Sequence, residues 1–217
     1  LEPTGIVTLE PTGIVTLEPV KLRLIQASRG SISRSDGGFM VQAVQQAAQQ
    51  VLPAGAVAPD FTAQSLGGQQ LSLSATLKSG PALIVFAHPK INASRLVVGY
   101  LRRMAEIAPA LPIWIFSEGR EAETLEYVGS GDGAYLKMPV VLDNCGVAGL
   151  YGARFLPATY LIGADGLVIR AYSGFSRDFL NWVANEAAGL TGGKAKELIS
   201  DGDNKGFYEL SERGPCA

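Results

Sequence analysis

From Val57 onward the chain alternates continuous apolar runs with amphipathic stretches, and that alternation confines it to an α/β architecture. Pro81-Ala-Leu-Ile-Val-Phe-Ala87 has no polar position at all, as a strand covered on both faces requires. Leu111 to Phe116 repeats the pattern. Between them, Ala93 to Ala108 carries Val97, Tyr100, Leu101, Met104 and Ile107 on one helical stripe, with Asn92 placed to cap its start. A second helix is expected over Glu121 to Val128, a strand over Pro139 to Leu142, and a short helix near Val147 to Tyr151. Ala158 to Ile162 and Leu167 to Tyr172 read as strands joined at Asp165-Gly166, and Phe179 to Ala188 as the closing helix. Ahead of these, Asp60 to Ala63 and Gln70 to Leu73 form a hairpin around Gly67-Gly68. The β-α-β-α-β then β-β-α order predicts a mixed central sheet with helices on both faces.

The flanks are built differently. LEPTGIVT fills residues 1 to 8, recurs letter for letter over 9 to 16, and begins again at Leu17-Glu18-Pro19. Eight residues holding Pro and Gly are too few for a solenoid unit. The repeat is either a duplication in a tolerant tail or an extended arm, Leu1 to Arg29, that lies on a partner protein. Residues 1–38 are therefore read as arm and linker, and 39–55 as an amphipathic helix with its glutamines on one face. Residues 56–190 form the α/β domain, and 191–217 a polar C-terminal tail with a short helix over Lys194 to Ile199.

Composition removes several functions. A formal net charge of −2, with no Lys/Arg run, gives no footprint for nucleic acid or an anionic membrane. The Pro81–Ala87 run is about a third of a membrane span, so no span is expected. There is no positively charged segment followed by an apolar one, hence no signal peptide to read. Two cysteines, Cys145 and Cys216, and one histidine, His88, are too few for a structural zinc site, and neither metal nor cofactor is expected. Gly129, Gly131 and Gly133 follow a helix rather than a strand, which is not a dinucleotide fingerprint. Asn92-Ala93-Ser94 fits a glycosylation acceptor only in letters, since it falls at a helix start. His88 has no visible partner and reads as a loop residue.

Several short stretches resemble, in order, the thioredoxin-like redoxins of the alkyl-hydroperoxide-reductase and thiol-specific-antioxidant superfamily, especially the periplasmic membrane-anchored thioredoxins. Ala58-Pro59-Asp60-Phe61 is similar to the family's opening, Leu83-Ile84-Val85-Phe86 to the strand before its redox loop, and Leu156-Pro157-Ala158-Thr159-Tyr160-Leu161 to a later landmark. The resemblance spans about Val57 to Ala188. It implies a redox cysteine at the start of the helix after the first buried strand, where backbone N–H groups and the helix dipole stabilise a thiolate. Here the loop reads Phe86-Ala87-His88-Pro89-Lys90-Ile91-Asn92-Ala93-Ser94-Arg95, and Ile91 and Ser94 stand at the two cysteine positions. Neither can pass through a mixed disulfide. The resemblance also makes Pro157 the family's cis-proline facing that loop.

Cys145 follows the Pro139–Asp143 stretch and should reach the same edge of the sheet as the vacant loop. It is read as bonded to Cys216, as an inert thiol, or as a single reactive thiol. The function expected is a redox-inactive accessory subunit of a larger extracytoplasmic complex, with a membrane-bound dehydrogenase or respiratory enzyme as the host class. Its partners would be other protein subunits, met through Leu1 to Arg29 and the tail. The alternatives are a one-cysteine thiol peroxidase or oxidoreductase acting through Cys145, and a stand-alone peptide-binding module. A periplasmic location follows from the resemblance and from a start at Leu1 rather than Met.

Overall fold

The structure, a computed structural model, describes residues 51–129, 138–192, 194, 196–203 and 212–215. The expected arm and linker lie outside the described residues, as does the amphipathic helix up to residue 50. Strands β1 (Thr62–Gln64) and β2 (Gln70–Ser72) pair antiparallel and lead into the short helix α1 (Leu73–Leu77). Then follow β3 (Ala82–Ala87), α2 (Asn92–Ile107), β4 (Ile113–Ser117), α3 (Glu121–Gly129), β5 (Val140–Leu142) and α4 (Gly146–Tyr151). The chain continues through β6 (Phe155–Leu156), β7 (Ala158–Ile162), β8 (Val168–Ser173), α5 (Arg177–Leu190) and, near the end, β9 (Glu212–Arg213).

The five-stranded sheet has the order β5-β4-β3-β7-β8. β3, β4 and β5 run parallel, while β7 and β8 are antiparallel to their neighbours, so the sheet is mixed. The central position of β3 explains its sequence. It is hydrogen-bonded on both sides and all six of its residues are buried, so every side chain must be apolar or small. β4 is buried throughout for the same reason.

Strand alternation divides these side chains between two cores. On one face Phe86, Phe116 and Tyr160 meet Phe61 from the opening loop and Tyr151 from α4, with ring centroids 5.1 to 6.2 Å apart. The two hydroxyls in this cluster are satisfied. Tyr151 donates to the Pro59 carbonyl at 2.9 Å and Tyr160 to the Tyr151 carbonyl at 2.7 Å. Burial pushes both phenols well above the ordinary tyrosine value. On the other face α2 and α5 lay Val97, Leu101, Met104, Val183 and Ala187 on the sheet, and Phe179 stacks on Tyr172 of β8 at 5.2 Å. Each fully buried side chain of this size contributes about 1.5 to 3 kcal/mol.

Two local expectations are corrected. Asn92 is not the cap of α2: it is the first helical residue, and Ile91 holds the N-cap with extended backbone and no side-chain cap. Burial decides the point, because Ile91 packs at 6% exposure while Asn92 stays in solvent. The helix over Lys194 to Ile199 does not form among the described residues. There the backbone finds its partners in Asn181 of α5 instead. Its Oδ1 accepts from Leu198 N–H at 3.0 Å and Ile199 N–H at 2.8 Å, and its Nδ2 donates to the Ile199 carbonyl at 3.0 Å. Leu198 and Ile199 are buried, Arg177 of α5 pairs with Asp201 and Glu197, and Arg103 of α2 with Asp203. This part of the tail belongs to the domain's own surface.

Candidate functional site

The parallel strands β3, β4 and β5 end at one edge of the sheet, the place where loops of an α/β sheet converge on a site. β3 delivers the turn His88 to Ile91 and the start of α2. This loop is sealed by its own hydrogen bonds. Ile91 N–H donates to the His88 carbonyl at 3.1 Å, Lys90 N–H to His88 Nδ1 at 3.1 Å, and His88 N–H to Ser94 Oγ at 3.2 Å. Ser94 is 0% exposed, and its carbonyl accepts from the Tyr127 hydroxyl at 2.9 Å. Pro89 presses on the β4–α3 turn so closely that a Cβ on Gly119 would lie 2.5 Å from Pro89 Cδ. Both positions assigned to lost cysteines are therefore buried in a closed loop.

Charge around the loop is arranged at its rim. Glu123 of α3 meets Arg120 and, at 2.8 Å, Lys90, and these cations hold its carboxyl down to about 2. Desolvation lowers the His88 pKa below the ordinary histidine value, against the pull of Glu123 and with the help of Lys90. Because Nδ1 accepts a backbone N–H, protonating it would also cost that hydrogen bond.

β5 delivers the second loop. Asp143 turns its carboxylate back on the start of α4, accepting from Val147 N–H at 2.8 Å and Ala148 N–H at 2.6 Å. Cys145 precedes α4 with φ +62°, the one non-glycine residue among those described in the left-handed region. It is exposed and disulfide-bonded. Cys216 lies outside the described residues. Pro157 follows a cis Leu156–Pro157 bond at the start of β7, and its carbonyl accepts from Gly174 N–H at 2.7 Å.

Sequence reasoning did not find the neighbour of that proline. β9 pairs antiparallel with β6, matching Phe155 to Arg213 and Leu156 to Glu212, and Gly214 N–H donates to the Arg154 carbonyl at 2.8 Å. Residues 212–214 thus lie across the segment leading into Pro157. A Cβ on Gly214 would come within 2.8 Å of Leu156 Cδ1 and 3.0 Å of Glu118 Oε2, so any side chain there would have to displace Leu156. The signal available was weak: a Gly-Pro breaker followed by the second cysteine.

Among the described residues no group of His, Cys, Asp and Glu is placed to hold a metal ion, and no helix is long and apolar enough to cross a membrane. What the edge can do chemically rests on one disulfide and a sealed loop.

No family model and no curated protein matches the sequence. Solved structures do match. One is a protein assigned as thiol:disulfide interchange protein DsbE from Chlorobium tepidum, 19% identical with TM-score 0.56 over 64% of this chain and 99% of that one. Another is the thioredoxin domain of a thiol-disulfide oxidoreductase from Bacteroides vulgatus, 23% identical with TM-score 0.54 over 63% and 99%. A third is peroxidoxin BcpB from Mycobacterium tuberculosis, 18% identical with TM-score 0.52 over 62% and 95%. At such identities the similarity is one of architecture, and it agrees with the mixed sheet, its helices and its strand order. The described residues adopt a thioredoxin-like fold.

Proposed function

We propose that this chain is a redox-inactive thioredoxin-like accessory subunit of a larger extracytoplasmic enzyme complex, with a membrane-bound dehydrogenase or respiratory assembly as the host class. The observation that carries the reading is the state of the loop after β3. An apolar side chain and a fully buried hydroxyl fill the positions where the resemblance places cysteines, and Ser94 Oγ is already engaged by His88 N–H. A disulfide exchanger needs an accessible thiolate there, and this loop offers none. The bonded state of Cys145 supports an oxidising compartment. The repeat-bearing arm, Leu1 to Arg29, is the segment proposed to meet other subunits; extended segments of this kind contribute contact area without a preformed groove.

Size-exclusion chromatography of a native extract tests the role directly. The chain should co-elute with other polypeptides, and the purified protein should neither reduce insulin nor consume hydroperoxide. Turnover that Cys145→Ser abolishes would replace this reading with the one-cysteine enzyme, and elution as a lone monomer would replace it with the stand-alone peptide-binding module. A stand-alone peptide binder is disfavoured by β9, which already occupies the backbone edge beside Pro157.

A further inference from the structure

We infer that Cys145 is bonded to Cys216 and that this disulfide is a dithiol-reducible latch, holding β9 across the backbone edge that leads into Pro157. The pairing follows from number: Cys145 is bonded within a single chain, and the sequence contains one other cysteine. The inference goes beyond the accessory role and stands or falls separately from it.

The tail's path supplies the geometry. After α5 the chain doubles back, and residues 197 to 203 are clamped by Asn181, Arg177 and Arg103, with Asp201 meeting Arg177 in the first turn of α5. That end of α5 follows β8 and the Gly174 contact to Pro157, so the tail is carried toward the functional edge. There it adds β9 to β6. A two-residue ladder is well below ordinary strand length and marginal by itself, so a second restraint close by is needed to keep it in place. Cys216 is two residues beyond Gly214 and provides one.

The other end of the latch carries a mark of its purpose. Cys145 adopts a left-handed backbone conformation that glycine would occupy without cost. Keeping a side chain there is explained if its sulfur is required. Cys145 is also exposed, so a dithiol can reach it from solvent. In the exchange a reductant thiolate attacks one sulfur of the bond and displaces the other as a thiolate. The reductant's second thiol then resolves the mixed disulfide. The S–S bond is broken, Cys145 and Cys216 gain two electrons and two protons, and the reductant leaves as its own disulfide.

Reduction uncovers a defined surface. Gly214 shields Leu156, which is 0% exposed, and the Arg154 carbonyl is held by Gly214 N–H. With β9 released, β6 loses the one strand it pairs with among the described residues, and its backbone edge opens beside Pro157.

The test uses the full chain purified without reductant. Non-reducing tryptic mapping should recover the Cys145 peptide linked to the Cys216 peptide of the same chain. Amide hydrogen exchange at 154–156 and 212–214 should accelerate by about tenfold or more after dithiothreitol treatment, with β3 unchanged as the internal control. Cys216→Ser without any reductant should reproduce that acceleration, which separates release of the strand from side effects of the reagent. Alkylation of Cys145 in the untreated protein, a link between two chains, or exchange that reduction leaves unaltered would each overturn the latch.

Discussion

The loop after β3 and the loop after β5 reach the same edge of the sheet and are stabilised by opposite means. The first is closed from within. His88, Ile91 and Ser94 supply one another's hydrogen-bond partners, Ile91 and Ser94 bury their side chains, and Pro89 locks the loop onto Gly119. The second is open: Cys145 is exposed, holds a left-handed conformation, and is fixed by a bond from its sulfur. The comparison shows that hydrogen bonds and burial are enough to close a loop at this edge. It also shows a neighbouring loop at the same edge tied by sulfur.

Four measurements sharpen or break this contrast. The largest effect belongs to the open loop. Replacing Cys145 with Ser should lower unfolding free energy by about 4.4 kcal/mol, the entropic value of cross-linking a loop of about 70 residues. Denaturant titration of both forms checks it, and equal midpoints would mean that the bond contributes nothing. Next is the closed loop. Ile91→Asp puts a carboxylate at a site only 6% exposed and should cost about 3 kcal/mol or more, without any effect on the redox state of Cys145. Thermal unfolding and thiol counting on the same sample read both halves of that statement.

Ser94→Ala is milder. It leaves His88 N–H without its acceptor and should cost about 1 to 2 kcal/mol. A Ser94→Cys change should recover little of this, because sulfur is a weak acceptor. The smallest effect depends on pH. Burial places the folded His88 pKa below its ordinary value, so the folded state disfavours the imidazolium. Stability is then complete above the ordinary histidine pKa and declines as pH falls through the lowered one. His88→Gln should flatten that acid-side decline, and parallel melting curves across the range would reveal it; Glu123 and Lys90, which face the ring with opposite effects, remain in both proteins.

Most of the architecture was written locally. The six apolar residues of β3, the Gly67-Gly68 hairpin and the stripe of α2 each carry their own period, so their placement needed no knowledge of partners. The landmarks by which the resemblance reads Ile91, Ser94 and Pro157 are local in the same way. What escaped is non-local. Nothing near Asn92 announces that burying Ile91 outweighs a capping side chain. The segment Lys194 to Ile199 reads as a helix until Asn181, upstream in sequence, takes over the amides of Leu198 and Ile199. β6 and β9 are two residues each, too short for any period, and exist only because a returning tail places one beside the other. Cys145 was legible as a residue at the edge, but its left-handed backbone was not.

Gly214 has a further effect on how the end of the chain finds its seat. A strand with period two could slide by one residue along β6, which would present Arg213 or Pro215 to Leu156 and Glu118. A side chain in that gap would have to push Leu156 aside, so either misalignment costs packing. A missing side chain thus serves as the alignment key for the terminus, and any substitution at that position trades a unique seating for several poor ones.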